Sequence, residues 1–202
     1  MGMEALNPPA FFGYDLYQLM DGTGFLFNEM AVLEKLTAVR DEIRRRYEEG
    51  ERPVSPGAKR ILISGCPIMA VLDKTVKVIE ENGGVVVCYE NCGGIKTHRH
   101  LIDTEADDII GAIADHYLQI GCAVMSPDIK RYELISQIVD EFQIDGIIEL
   151  DLKFCQPFEV EAFTVKELAD ELGVRYMNLS TDYAPADAAQ LATRLTAFLE
   201  TI

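Results

Sequence analysis

From residue 60 onward, short unbroken apolar runs rich in β-branched residues alternate with longer segments of helical pattern, and that alternation restricts the fold more than any other feature of the chain. The strand-length runs are "RILIS" (60–64), "GVVVCYE" (84–90), "DGIIEL" (145–150) and "RYMNLS" (175–180). Between them lie "PIMAVLDKTVKVIEEN", "TEADDIIGAIADHYLQI", "KRYELISQIVDEF" and "FTVKELADEL", with "DAAQLATRLTAFLE" after the last. A strand buried on one face alternates apolar with polar residues, whereas a run that is apolar throughout is buried on both faces. Strands of that kind spaced by helices predict an α/β domain, an open doubly wound (Rossmann- or flavodoxin-like) parallel sheet of about four strands. Capping boxes place helix starts at Thr104 with Asp107, at Thr164 with Glu167 and, in a looser form, at Asp187 with Gln190.

Residues 1–58 read differently. "FFGYDLYQLM" is aromatic and helical, and "LFNEMAVLEKLTAVRDEIRRRYEEGERP" sets Phe27, Met30, Leu33 and Val39 at helical spacing among dense charges. This predicts an N-terminal amphipathic helical arm, with "GERPVSPG" (50–57) as a Gly- and Pro-punctuated linker, leaving 59–202 as the α/β domain. A length of 202 residues with 49% apolar content suits one compact core with a helical extension.

The formal charge of −16, from 34 acidic and 18 basic residues, repels phosphate backbones and anionic lipid, so neither nucleic acid nor a membrane surface is an expected partner. No apolar stretch reaches the roughly 18 to 20 residues of a membrane span, and the first residues lack a basic segment followed by an apolar one, so a cytoplasmic protein is expected. Five cysteines in a reducing compartment point away from disulfides and toward metal or catalytic use, or simple burial.

In open parallel sheets the carboxyl ends of the strands share one edge, and ligands bind in the crevice there. Cys66 follows the first strand in "SGCPIM", Cys92 the second in "YENCGG" and Cys155 the third in "LDLKFCQP", so these three are expected to face one crevice. Cys122, in "QIGCAVMSP", precedes a loop with Pro127 where a short extra strand would fit. Cys88 sits inside a buried apolar run and is expected to pack as an inert core thiol. Pro67 is expected to open a helix at its first position, which would place Cys66 at a helix N-terminus and lower its pKa. Gly93 and Gly94 allow close backbone approach but make no dinucleotide or Walker fingerprint, and "DGTGFLF" (21–27) lacks the preceding strand such a loop needs. His98 and His100, flanking Arg99, read as a solvated loop rather than as ligands. Thiolates spread over several strand ends suit an iron–sulfur cluster as well as zinc, and the C-x2-C spacing specific to zinc is absent. Spacing alone leaves both open.

The blocks "RILISGCPIMAVLDKTVKVIEENGGVVVCYENCGGIK", "IADHYLQIGCAVMSPDIKRYELI" and "DGIIELDLKFCQPFEVEAFTVKELADELGVRYMNLSTDYAPADAAQLATRLTAFLE" together resemble the 2-hydroxyacyl-CoA dehydratase D-component and benzoyl-CoA reductase family, its double-cubane-cluster branch in particular. The resemblance runs from about residue 60 to the C-terminus. Its most specific part is the block carried by Thr181, Asp182, Tyr183, Asp187, Gln190, Leu191, Thr193, Arg194 and Phe198. It implies a [4Fe-4S] or double-cubane cluster held by Cys66, Cys92, Cys122 and Cys155. That cluster would receive low-potential electrons from a separate ATP-hydrolysing activator iron–sulfur protein and pass them to an acyl-CoA or similar substrate, as in anaerobic metabolism. Where the branch often has a second cysteine two positions after the one matched by Cys122, this chain has Val124. Family subunits carry two such domains, so a first domain or partner subunit, and an oligomer, are expected. The competing expectations are an assembly module of the same fold with unligated thiols, and a zinc-binding domain.

Overall fold

The computed structural model of the chain describes residues 3–21 and 26–202. The "DGTGFLF" stretch therefore lies largely outside the described residues. Strands β1 (Lys59–Gly65), β2 (Gly84–Glu90), β3 (Gly146–Leu152) and β4 (Arg175–Thr181) form one sheet in the order β2-β1-β3-β4, every pair parallel. The four strand segments match those expected from the apolar runs to within two residues. β1 and β3 are almost entirely buried, as strands covered on both faces must be.

Helices α1 (Gly13–Asp21), α3 (Val76–Glu81) and α7 (Ala188–Leu199) cover one face of the sheet, where Tyr17, Ile79 and Leu195 meet Ile61, Ile63, Ile148 and Leu150. Helices α5 (Ile129–Glu141) and α6 (Gln156–Leu172) cover the other, where Ile135, Ile138, Val165 and Ala169 meet Leu62, Val85, Cys88 and Ile147. Helix α4 (Ile109–Leu118) joins the second strand to this layer and has no buried residue. Between residues 3 and 58, Ala5, Tyr17 and Val54 are buried in the two cores, whereas α2 (Glu29–Glu48) packs only loosely, with none of its residues buried.

The β1–β2 pairing carries a β-bulge: Ile61 pairs with Val86, but Leu62 pairs with Cys88. The extra residue puts Val87 and Cys88 on the same side and reverses the alternation beyond them. Tyr89 thereby joins the α1 face, its ring 4.7 Å from that of Tyr17, and Glu90 turns to the α5 face.

Several helix starts differ from expectation. No α-helix begins at Pro67; a six-residue 3-10 helix spans Met69–Lys74 and α3 follows it. The N-cap of α4 is Asp108, whose carboxylate accepts from Gly111 N at 2.9 Å, so the Thr104 box is not used. Thr164 lies inside α6, which starts eight residues earlier at Gln156, with Cys155 as its N-cap and Pro157 in its first turn. Asp187 does precede α7, but its carboxylate bonds Lys74 Nζ at 2.6 Å and Thr181 Oγ1 at 2.7 Å instead of capping. Residues 121–127 form turns, with no extra strand around Pro127.

Candidate functional site

Strand order reverses about β1: the connection to β2 leaves on one side, and β3 returns on the other. The crevice of a doubly wound sheet opens at that reversal, between the carboxyl ends of β1 and β3. Cys66 and Cys155 flank it.

Cys66 is 2% exposed. Gly65, at φ +99°, turns the chain off β1 in a left-handed conformation, and a Cβ there would meet Leu150 O at 2.5 Å. The turn carries Cys66 N to Leu150 O at 2.8 Å and brings the sulfur to the Leu152 N–H, 3.4 Å away. Burial, with the neighbouring Cys155 and Asp151 adding to it, pushes the Cys66 thiol up to about 12. The expected lowering is thus reversed: with no α-helix starting behind Pro67, the dominant influence is loss of water.

Cys155 occupies the N-cap of α6 and is half-buried, on the loop that follows β3 beside Cys66. Leu152 ties the two together: its N–H meets the Cys66 sulfur and its carbonyl accepts the Cys155 N–H at 2.9 Å. Phe154 just before is held at φ +71° with its ring 93% exposed. A bulky residue in the left-handed region costs on the order of 1–3 kcal/mol, a strain found most often where geometry serves a function.

Cys92 sits on the same edge but is exposed. Its neighbour Asn91 bridges the loops, donating to Cys66 O at 3.3 Å and accepting from Gly93 N at 3.0 Å. Gly94 is needed for the turn itself, since a Cβ there would collide with the Tyr89 carbonyl. Cys122 is half-buried on the turns that lead into α5. Cys88 is buried in the core against the α5–α6 layer, as expected. Among the described residues no three His, Cys, Asp or Glu side chains converge closely enough to share a metal ion. The structure bonds Cys66 onto the end of β3 just before Cys155, while Cys92 and Cys122 lie on other loops.

Arg131 of α5 is the feature the apolar patterning did not disclose. It is fully buried, with its Nη2 bonded to Ser64 Oγ at 2.9 Å and Glu149 Oε1 at 2.8 Å, and its Nε to Glu90 Oε2 at 3.2 Å. Ser64 donates to Glu90 at 2.7 Å, Tyr176 donates to Glu149 at 2.7 Å, and Glu161 approaches Arg131 Nη1 at 3.5 Å. Burial opposes the guanidinium charge, and Glu90 and Glu149 more than offset it, so Arg131 stays protonated. Glu90, Ser64 and Glu149 are neighbours in register across β2, β1 and β3, one row below the cysteine loops. A single ion cluster therefore fixes the three strand ends against α5 and α6. The signal in the sequence is a glutamate near the end of two otherwise apolar strands. Around the same cluster Lys96 Nζ, both Asp128 carboxylate oxygens and Glu90 Oε1 are buried with no hydrogen-bond partner.

The block Thr181–Phe198 has its own structural role. Lys74 Nζ reaches Asp182 O, Ala184 O and Asp187, Lys153 pairs with Asp182 at 2.6 Å, and Arg194 bonds Asn178 O at 3.1 Å. These contacts pin the β4–α7 connection beside the crevice.

The sequence matches the family described as 2-hydroxyglutaryl-CoA dehydratase, D-component, over residues 1–202, a longer match than the resemblance from residue 60 suggested. It is 41% identical over 196 residues to YjiM of Escherichia coli (strain K12), a proposed dehydratase subunit, covering 96% of this chain and 50% of that protein. It is 28% identical over 170 residues to the beta subunit of (R)-phenyllactyl-CoA dehydratase of Clostridium sporogenes, covering 84% of this chain and 43% of the relative. With a benzoyl-CoA reductase subunit of Thauera aromatica it shares 27% identity over 155 residues, 71% of this chain and 34% of the relative. The chain spans half or less of the length of each of these proteins. A doubly wound domain with Cys66, Cys92 and Cys155 at one sheet edge, matched along its whole length, makes this chain a member of the 2-hydroxyglutaryl-CoA dehydratase D-component family.

Proposed function

We propose that the chain supplies cysteine thiolates to an iron–sulfur cluster of the [4Fe-4S] or double-cubane type, working in ATP-driven electron transfer to an acyl-CoA or similar substrate. The observation that carries this reading is that Cys66, at the end of β1, is hydrogen-bonded onto the β3–α6 segment that carries Cys155, at the reversal point of a sheet whose relatives include dehydratase and reductase subunits. The donor chemistry fits: soft thiolates suit iron–sulfur clusters, and strand-end loops can present them from several directions. Cys66, Cys92, Cys122 and Cys155 are the proposed ligands. What such a cluster supplies when bound is storage and passage of low-potential electrons, delivered by a separate ATP-hydrolysing activator iron–sulfur protein.

The chain's own residues would orient and shield. The Leu152 N–H hydrogen-bonds the Cys66 sulfur, a contact that stabilises a ligating thiolate. Arg131 holds the three strand ends in fixed relation. Because no three candidate ligands converge among the described residues, the ligand set and the substrate pocket would be completed by a first domain or partner subunit, within an oligomer. A reducing cytoplasm is the compartment this chemistry needs; no helix among the described residues is long and apolar enough to cross a membrane.

Anaerobic reconstitution with ferrous iron and sulfide tests the reading. The wild-type chain should turn brown and retain iron, Cys155→Ala should lose most of it, and Cys88→Ala should keep it at a stability cost of about 1 kcal/mol or less. Equal iron in both variants would remove Cys155 from the ligand set. Colourless protein with stoichiometric zinc would favour a zinc site.

A further inference from the structure

We propose that Tyr17 of α1, together with Asn91, is a positioning residue for Cys92: its hydroxyl locks the loop that carries Cys92 onto the loop that carries Cys66. The inference rests on the reading of Cys66 and Cys92 as cluster ligands, and it adds to that site the N-terminal helix, which the sequence pattern set apart as an arm. Tyr17 is buried in the core, and its hydroxyl oxygen accepts the Ile68 N–H at 3.1 Å, two residues past Cys66. The same oxygen lies over Gly93 on the other loop, where an added Cβ would stand 2.9 Å from it and 3.3 Å from the ring carbon that bears it. From the Cys92 side Asn91, also buried, closes the connection by donating to Cys66 O at 3.3 Å and accepting from Gly93 N at 3.0 Å. Cys92 is therefore held on both flanks, by Asn91 before it and Gly93 after it, although the residue itself is exposed.

The support behind the hydroxyl is fixed. Tyr89 donates to Gly13 O at 2.7 Å, and the Glu80 carboxylate accepts from Gly13 N at 2.7 Å and from Tyr14 N at 3.2 Å, so α1 is tied at its start to β2 and α3. The bulge in β2 is what turns Tyr89 to this face, where its ring lies 4.7 Å from that of Tyr17. Phenylalanine would fill the same space in the core. The hydroxyl adds the contact with the loops, and burying it without a partner would be unfavourable. Groups that orient ligands from behind set the geometry of a metal centre as much as the ligands do, and that is the role assigned to Tyr17 and Asn91.

Tyr17→Phe keeps the ring and removes the lock. In the metal-free, reduced full chain, hydrogen exchange read by mass spectrometry should quicken about fivefold in the peptides covering 66–69 and 91–94, the order expected for one lost hydrogen bond, with the β3 peptide unchanged. After anaerobic reconstitution with ferrous iron and sulfide, brief iodoacetamide labelling should spare Cys92 in the wild type and modify it several-fold faster in the variant, with core Cys88 protected in both. Gly93→Ala should also uncover Cys92, by driving its methyl group against the hydroxyl. Combining it with Tyr17→Phe should label Cys92 no faster than Tyr17→Phe alone, since the group it collides with is gone. Exchange and Cys92 labelling in Tyr17→Phe equal to wild type would overturn the proposal. Cys88 uncovered as fast as Cys92 would overturn it too, by showing that the hydroxyl serves only the fold. Rapid labelling of Cys92 in iron-loaded wild type is a separate failure: it would remove Cys92 from the ligand set, and its positioning with it, whatever the exchange shows of the lock.

Discussion

At Cys66 the surroundings of the sulfur decide its chemistry. Enclosed at 2% exposure and held as the thiol up to about pH 12, it should resist alkylation that exposed Cys92 accepts readily. Timed iodoacetamide labelling of the metal-free, reduced chain near pH 8 should modify Cys92 first, with Cys66 and core Cys88 last; Cys66 reacting as fast as Cys92 would show that the enclosure is absent in solution. Asp187 shows the opposite electrostatic case. The hydrogen bond from Lys74 holds its carboxyl below the ordinary 3.8. A depressed acid contributes stability above its unfolded pKa and loses that contribution as pH falls through the folded value. Asp187→Asn should therefore cost about 1–3 kcal/mol at neutral pH. In urea unfolding the gap from wild type should shrink as pH falls below the ordinary carboxylate range, and a gap constant with pH would mean the charge is not what matters. At this scale the placement of Cys66, Cys92 and Cys155 on one edge and of Cys88 in the core was legible in the sequence, because strand position alone sets it. The Cys66 environment was not, because it depends on where the next helix begins.

Among the elements, what could be read were the strands, since continuous apolar runs report two-sided burial directly. Helix starts were less visible because tertiary partners compete for the capping residues: Asp187 is taken by Lys74 and Thr181, and Thr164 is overrun by a helix that begins at Gln156. The bulge opposite Leu62 is invisible in the residue pattern, yet it turns Glu90 toward α5. Without it the Arg131 cluster loses one of its two fully buried acids. Replacing Arg131 by Met would leave Glu90 and Glu149 buried without their counter-charge, at a cost of about 3–5 kcal/mol. Adding Glu149→Gln to Arg131→Met should recover part of that loss in thermal or urea unfolding. Two independent, additive losses would argue that the cluster is not one coupled unit.

On the scale of the whole molecule, α2 has no buried residue and leaves Met30 and Leu33 exposed, with Phe27 just before it at 105%. Farther along, Leu36, Val39 and Ile43 line a groove of about 370 Å³ facing Leu16 and Leu19 of α1. Contiguous exposed apolar surface of this kind commonly marks an interaction site. Radical or low-potential chemistry needs a closed, water-excluding pocket, and one sheet edge offers an open crevice. Supplied with only an activator ATPase and reductant, the purified chain should turn over no acyl-CoA; turnover by a species that light scattering shows to be a monomer would contradict this.

The central claim, cluster ligation by Cys66, Cys92, Cys122 and Cys155, is tested most directly by native mass spectrometry of the anaerobically reconstituted chain. The wild type should gain the mass of an intact cluster of iron and sulfide. A variant with those four cysteines changed to serine and Cys88 retained should gain none while keeping its far-ultraviolet circular dichroism. The same mass gain in both proteins, or a gain of zinc in the wild type, would contradict the account.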